Sequence, residues 1–250
     1  MRTILILGGT TEASALAARL ADLGESATLS YAGRVESPKA QPIPTRTGGF
    51  GGIPGLADYI RTNSITHLID ATHPFATQMS RHAVLAARET GIRLIAYTRP
   101  PWHPVPGDDW TRVPDIAGAV AALAGPPQRI FLALGRMHID AFAAWPQHHY
   151  LLRLVDPPEI PPPLPHHTAI VARGPFTEAG DTALMLQHRI TLVVAKNAGG
   201  KGASAKLAAA RALSLPVLMI DRPAAPDRSE ATNLQQVLDW LDHVGTDLGV

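Results

Sequence analysis

The chain has 250 residues, 46% of them hydrophobic, with a formal net charge of +1. That suffices to bury the core of one large or two small domains, and the near-neutral balance argues against a nucleic-acid or membrane surface, so anion recognition must come from local clusters. Cysteine is absent, which excludes disulfides, thiolate zinc sites, iron–sulfur clusters and a cysteine nucleophile and is compatible with a reducing cytoplasm.

In chain order, Ile4–Leu7 is a short apolar run ending at Gly8-Gly9, expected as a buried parallel strand that stops at a tight turn. The run is too short for a secretory signal, and no stretch approaches the roughly 20 apolar residues of a membrane span. Residues 12–23 form an alanine-rich periodic segment closed by Gly24, which predicts a helix. Strands are expected at 27–30, around Ile43, at 68–71 and at 94–97, with helices at 56–61 and 78–89. The alternation predicts a five-stranded, mostly parallel sheet with helices on both faces. The proline-rich stretch after Arg99 breaks the pattern, and the domain boundary is set there, giving domains of 1–99 and 100–250. A cut near Gly125-Pro126-Pro127 competes, but it would separate the strand-helix unit at 110–124 from the half it opens. Beyond the boundary strands are expected at 110–113, 130–134, 151–155, 170–172, 192–195 and 217–220. Helices follow Asp115 and fall at 177–188, 204–213 and 231–244, and the prolines of 156–163 predict a stiff exposed loop. The fold class is therefore α/β, with two Rossmann-like domains and an active site expected in the cleft between them.

Gly8-Gly9-Thr10-Thr11-Glu12 joins the first strand to the first helix, where helix N–H groups and small residues let a phosphate approach the backbone. The spacing departs from G-x-G-x-x-G, so a plain strand-to-helix turn competes with a dinucleotide site. Where an NAD-preferring site carries an acid at the end of strand two, this chain has Ser30-Tyr31-Ala32-Gly33-Arg34. A hydroxyl and a guanidinium suit a 2′-phosphate and favour NADPH over NADH; the competing reading of Arg34 is a solvated loop residue. Asp70-Ala71-Thr72-His73-Pro74 leaves another strand at the carboxyl edge. There Thr72 and His73 are placed to meet a nicotinamide ribose or a substrate, and His73 can supply a proton. The alternatives are that Asp70 caps the helix and His73 only braces the loop. In the second half Arg136, Arg173, Lys196 and Lys201 follow strand ends, and if those strands run parallel the cations share one edge suited to a polyanion. Each taken singly reads more readily as a solvated charge, and it is their recurrence at strand ends that points to a site. The histidines, including His148-His149 and His166-His167, show no metal-site spacing, and no metal is expected.

The segments Ile4–Ala13, Asp70–Ala76, Arg173-Gly174-Pro175-Phe176 and Lys196-Asn197-Ala198-Gly199-Gly200-Lys201 together resemble, in order, the motifs of the precorrin-6A reductases of cobalamin biosynthesis. The resemblance implies NADPH-dependent reduction of one double bond of a tetrapyrrole, giving the dihydro (precorrin-6B type) product, by a cytoplasmic enzyme with no flavin or metal. It implies that Gly8, Gly9, Thr10, Thr11, Ser30, Arg34 and Thr72 hold NADPH, with His73 near its nicotinamide end. Arg136, Arg173, Lys196 and Lys201 would grip substrate carboxylates, and Tyr97 would face the substrate from a strand end. His73, Lys196 and water remain alternative proton donors, and metal-free and cobalt-loaded substrates both stay open. The small-molecule tetrapyrrole is the expected partner, with transient contact to neighbouring pathway enzymes allowed and nucleic acid and membrane excluded. Two other readings survive: a reductase of another polycarboxylate, and an NADP(H)-binding redox sensor without turnover. A methyltransferase is disfavoured by the missing acid at the end of strand two.

Overall fold

A computed structural model describes residues 2–33, 40–200 and 202–243. The chain forms two compact units, Met1–Pro100 with Ala224–Val250, and Pro101–Pro223. The expected second domain of 100–250 therefore loses its C-terminal stretch to the first unit, and the reason is strand pairing over a long sequence distance.

Unit 1 contains the strands β1 (Thr3–Leu7), β2 (Ser26–Tyr31), β3 (Thr45–Thr47), β4 (His67–Asp70) and β5 (Arg93–Tyr97). It also contains the helices α1 (Thr11–Asp22), α2 (Gly52–Thr62) and α3 (Thr77–Thr90). Its sixth strand comes from the far end of the chain: Glu230–Ala231 (β12) pairs with β5, and α7 (Leu234–Asp242) packs behind it. The sheet order is β12-β5-β4-β1-β2-β3 with every pairing parallel, the doubly wound arrangement whose crevice opens where β1 and β4 diverge. Alternation of side chains builds its two cores. Ile4, Ile6, Leu29, Ile69 and Ile95 face α1 and α7, while Leu5, Leu7 and Leu68 face Leu56, Ile60 and Ala83 of α2 and α3.

Unit 2 contains β6 (Trp110–Val113), α4 (Ile116–Ala121), β7 (Arg129–Ala133) and a 3-10 helix at Arg136–Ala144. These are followed by β8 (His149–Leu154), β9 (His167–Val171), α5 (Glu178–Gln187), β10 (Leu192–Lys196), α6 (Ala205–Ala212) and β11 (Val217–Ile220). The order β6-β11-β10-β7-β8-β9 is again parallel at every pairing. It repeats the pattern of unit 1, except that the strand in sixth place comes first in the chain. One core joins Phe131, Leu151, Val193, Val217 and Met219 to Met185 of α5 and Leu207 of α6. Among the described residues no helix is long and apolar enough to cross a membrane.

His67 on β4 gives the fold a pH dependence. Burial, with the guanidinium groups of Arg93 and Arg2 nearby and Glu25 opposing them, holds its pKa below the ordinary histidine value of 6.5. Between the lowered folded value and 6.5 the unfolded chain binds more protons, so stability rises with pH through that window and is lost on acidification. Urea unfolding of unit 1 should therefore shift to lower midpoints between pH 7.5 and 5.5, and His67→Gln should flatten that dependence. An equally steep dependence in the variant would remove His67 as its source.

Candidate functional site

In unit 1 the carboxyl ends of β1, β2 and β4 carry the residues singled out from sequence. β1 ends at Leu7, and the Gly8 N–H donates to the Ser30 carbonyl at 2.9 Å, closing the turn against β2. A Cβ at Gly8 would lie 2.5 Å from Leu29 Cδ1, so packing alone requires glycine there. Gly9 differs: its φ is +118° and a Cβ would meet nothing within 4 Å. This is open space beside bare backbone at the start of a helix, where N–H groups can receive an anion. Thr10 caps α1: its Oγ1 accepts from the Ala13 N–H at 3.1 Å and donates to the Ala71 carbonyl at 2.8 Å, tying the glycine turn to the β4 loop. Thr11 donates to Glu12 Oε2 at 3.0 Å, and the same oxygen accepts from Arg99 at 2.8 Å. The Thr10 and Thr11 hydroxyls are thus engaged in holding the turn.

Ser30 is buried at the end of β2. Its Oγ accepts from Arg46 Nη1 at 2.8 Å, across the register pair Ser30–Arg46 of β2 and β3. Arg34, expected beside it, lies outside the described residues. Sequence reasoning passed over Arg46 because it centred the strand on Ile43, which instead precedes β3.

Asp70 closes β4 and is almost completely buried. Its Oδ1 accepts from the Thr72 N–H at 3.1 Å and the Thr72 hydroxyl at 2.6 Å; its Oδ2 accepts from the Ser80 hydroxyl at 2.6 Å and from Arg228 Nη1. The helix-cap alternative fails, since α3 is preceded by Ala76 and has no side-chain cap. The carboxylate instead gathers the loop, the helix and the C-terminal segment around itself. His73 Nδ1 accepts from the Phe75 N–H at 3.2 Å, which places the neutral ring's proton on Nε2. Arg228 stands 158 residues from Asp70, and no local pattern marks it.

Tyr97 is a correction. Expected to face a substrate, it is 7% exposed and packs in the core with Ala13, Leu16 and Val237. Burial, and secondarily the Glu12 carboxylate, raises its phenol pKa above 10. The terminal position in β5 points it inward by strand alternation.

In unit 2 the divergence of β7 and β10 marks the crevice, and all the strands do run parallel. Arg136 opens the 3-10 helix after Gly135, whose φ is +72°, and Lys196 ends the neighbouring β10, so these two cations share adjacent strand ends. Arg173 follows β9, at the sheet edge two strands from β7 and three from β10, and pairs with Asp156 at 2.6 Å in an exposed setting. Next to it, Phe176 lies against the guanidinium of Arg153, 3.6 Å from ring centre, and Arg153 is fixed by a buried ion pair with Asp181 at 2.5 Å. Lys201 lies outside the described residues.

The loop after β10 is fastened at several points. Asn197 is buried; its Oδ1 accepts from the Trp102 N–H at 2.7 Å and its Nδ2 donates to the Trp102 carbonyl at 3.0 Å. Trp102 Nε1 donates to the Gly200 carbonyl at 2.9 Å, and Arg222 donates to the Asn197 and Ala198 carbonyls at 2.8 and 2.9 Å. Positive φ at Gly199 and Gly200 turns the chain between these anchors. His148 has a structural part: Nδ1 accepts from the Gln128 N–H at 3.0 Å and Nε2 faces the Leu123 carbonyl at 2.8 Å.

The sequence profile of the family described as precorrin-6x reductase CbiJ/CobK matches residues 3–242. The chain is 59% identical to the precorrin-6A reductase of Rhodobacter capsulatus, over 100% of each chain. It is 46% identical to a precorrin-6A reductase of Sinorhizobium sp., over 96% of this chain and 92% of that one. At 30% identity it is similar to the cobalt-precorrin-6A reductase of Priestia megaterium, over 95% and 97% of the two chains. Among solved structures it is similar to one titled CobK precorrin-6A reductase, with a TM-score of 0.95, 59% identity and 100% of both chains covered.

Proposed function

The chain belongs to the precorrin-6x reductase family, and from that premise we propose that it catalyses NADPH-dependent reduction of one double bond of precorrin-6A to the dihydro product. Relatives at 40–59% identity are named precorrin-6A reductases and those at 26–30% cobalt-precorrin-6A reductases, which favours the metal-free substrate. The single observation that carries the cofactor reading is the end of β2: a buried serine held by an arginine, where a site for an unphosphorylated ribose would present a carboxylate.

In this reading Gly8, Gly9, Thr10 and Thr11 supply the turn that receives the pyrophosphate, with Ser30 and Arg34 at the ribose phosphate. NADPH bound there supplies a hydride. Thr72 and His73, on the loop that Asp70 holds, would line the nicotinamide end of the site, where a loop already held in place would help to orient the ring. Arg136, Arg173, Lys196 and Lys201 take substrate carboxylates through charge-assisted hydrogen bonds. Addition of hydride to an electron-poor carbon leaves one proton to be delivered. Lys196 Nζ and bound water are candidates, and His73 is the third, only as the imidazolium, a form in which its Nδ1 no longer accepts from the Phe75 N–H.

The test mixes the protein with precorrin-6A and either NADPH or NADH while following nicotinamide oxidation and the macrocycle's visible spectrum. Coupled change of both chromophores, faster with NADPH, is expected. Arg136→Ala should raise the substrate KM roughly tenfold while largely preserving kcat. NADPH binding without turnover of metal-free or cobalt-loaded substrate would defeat the proposal and leave a nucleotide sensor.

A further inference from the structure

Arg46 is an unusual charge in unit 1. Its guanidinium is centred 3.8 Å from the Phe50 ring centroid and 5.1 Å from that of Tyr59. Nη1 donates to Ser30 Oγ at 2.8 Å and to the Gly48 carbonyl at 3.1 Å, and Nη2 donates to the Gly49 carbonyl at 3.1 Å. Among the described residues no carboxylate comes within ion-pair distance of it. The same bonds leave Nε–H and the second Nη2–H without a partner among those residues. A half-buried guanidinium is thus oriented by stacking and by neutral acceptors, yet no anion within the described chain balances it.

Its place gives that charge a meaning. Ser30 is the penultimate residue of β2, and its carbonyl receives the Gly8 N–H of the glycine turn, so the Arg46 head group borders the same sheet edge as the open backbone at Gly9. In doubly wound sheets this strand end reads the adenosine ribose. We infer that Arg46 is a specificity-determining residue that reads the 2′-phosphate of NADPH, presented by Ser30 on one side and by the Phe50 ring on another. The inference rests on the NADPH reading above and deepens it, adding a described residue where sequence pointed only to Ser30 and Arg34. Rigid stacking matters here, because a guanidinium already held in place loses little freedom when it takes up a phosphate.

The experiment titrates the full chain, by calorimetry, with adenosine 2′,5′-bisphosphate and with adenosine 5′-monophosphate, which differ only in the 2′-phosphate. The wild type should favour the bisphosphate, and Arg46→Met should cut that preference roughly 10- to 100-fold while leaving monophosphate affinity nearly unchanged. Arg46→Lys, which keeps charge and stem, should show a smaller loss in the same direction and carries the test if the methionine variant does not fold. Equal loss of both ligands would show that Arg46 only braces the Gly48–Gly49 turn and would overturn the inference. An unchanged preference in the variants would overturn it too, returning the role to Arg34. A wild type without preference would overturn the NADPH reading itself, and the inference with it.

Discussion

Asp70→Ala is expected to lower the unfolding free energy of unit 1 by about 3–5 kcal/mol. The carboxylate is the common acceptor for Thr72, Ser80 and Arg228, and its removal leaves a guanidinium with little solvent access and no balancing charge at that point. Glu230, at 3.4 Å from Arg228 Nε and much more exposed, is a weak substitute. The pair itself need not stabilise the fold by that amount, because desolvation of both ions offsets much of their attraction. Asp70→Ala combined with Arg228→Met should accordingly be less damaging than Asp70→Ala alone, since no orphan charge remains. Urea unfolding of the four proteins of the cycle measures this, with hydrogen exchange of β4 and α3 amides locating the effect. A single-variant loss below about 1 kcal/mol would show that the guanidinium finds another partner or water.

The same substitution reaches function through Thr72 and His73. Both Thr72 groups bound to Asp70 belong to the loop that leads to His73, so the loop would lose the acceptor that sets its path. In the proposed reaction this should appear chiefly in kcat, because misplacement of groups at the reacting end costs orientation more than binding. Arg228 belongs to this argument as a positioning residue acting through Asp70.

The regular part of this organisation was legible in the sequence because short apolar runs bounded by glycine and proline have few other ways to be buried. Ile4–Leu7 followed by Gly8-Gly9, and the Leu68–Asp70 strand with its polar loop, are of that kind. What was not legible depends on distance. β12 has two residues and acquires its identity only by pairing with β5, so the chain's return to unit 1 left no periodic signal. Arg222 and Arg228 flank the Pro223–Pro226 stretch and look like loop cations until the Asn197–Ala198 carbonyls and Asp70 are seen beside them. Tyr97 shows the converse error: a strand-end position suggested exposure, whereas the side-chain alternation of β5 sends it into the core. The motif at Lys196–Gly200 was recognisable, but its fastening by Trp102 was not, since a tryptophan in a proline-rich connection carries no mark of its hydrogen-bond partner.

Gly8 and Gly9 are adjacent and chemically identical, yet substitution should damage the protein in opposite ways. Gly9→Ala is expected to weaken NADPH binding by about 100-fold or more, because the new Cβ occupies the open space where the phosphate would meet bare backbone. Its cost to the fold should be limited to the strain of an L side chain at a φ of +118°, of order 1–3 kcal/mol, since no atom lies within 4 Å of the added carbon. At Gly8 the added carbon would come within 2.5 Å of Leu29 Cδ1, and Leu29 is completely buried, so the side chain has little room to yield. Gly8→Ala should therefore cost roughly 1–3 kcal/mol through overpacking, while the folded fraction keeps most of its nucleotide affinity. Calorimetric titration with NADPH and urea unfolding of both variants separate the two effects. If Gly9→Ala binds NADPH as the wild type does, the glycine turn is only a turn, and the phosphate must be sought elsewhere on the carboxyl edge of the sheet. If Gly8→Ala instead loses binding without losing stability, the close approach of backbone and ligand occurs one residue earlier than the geometry of Gly9 implies.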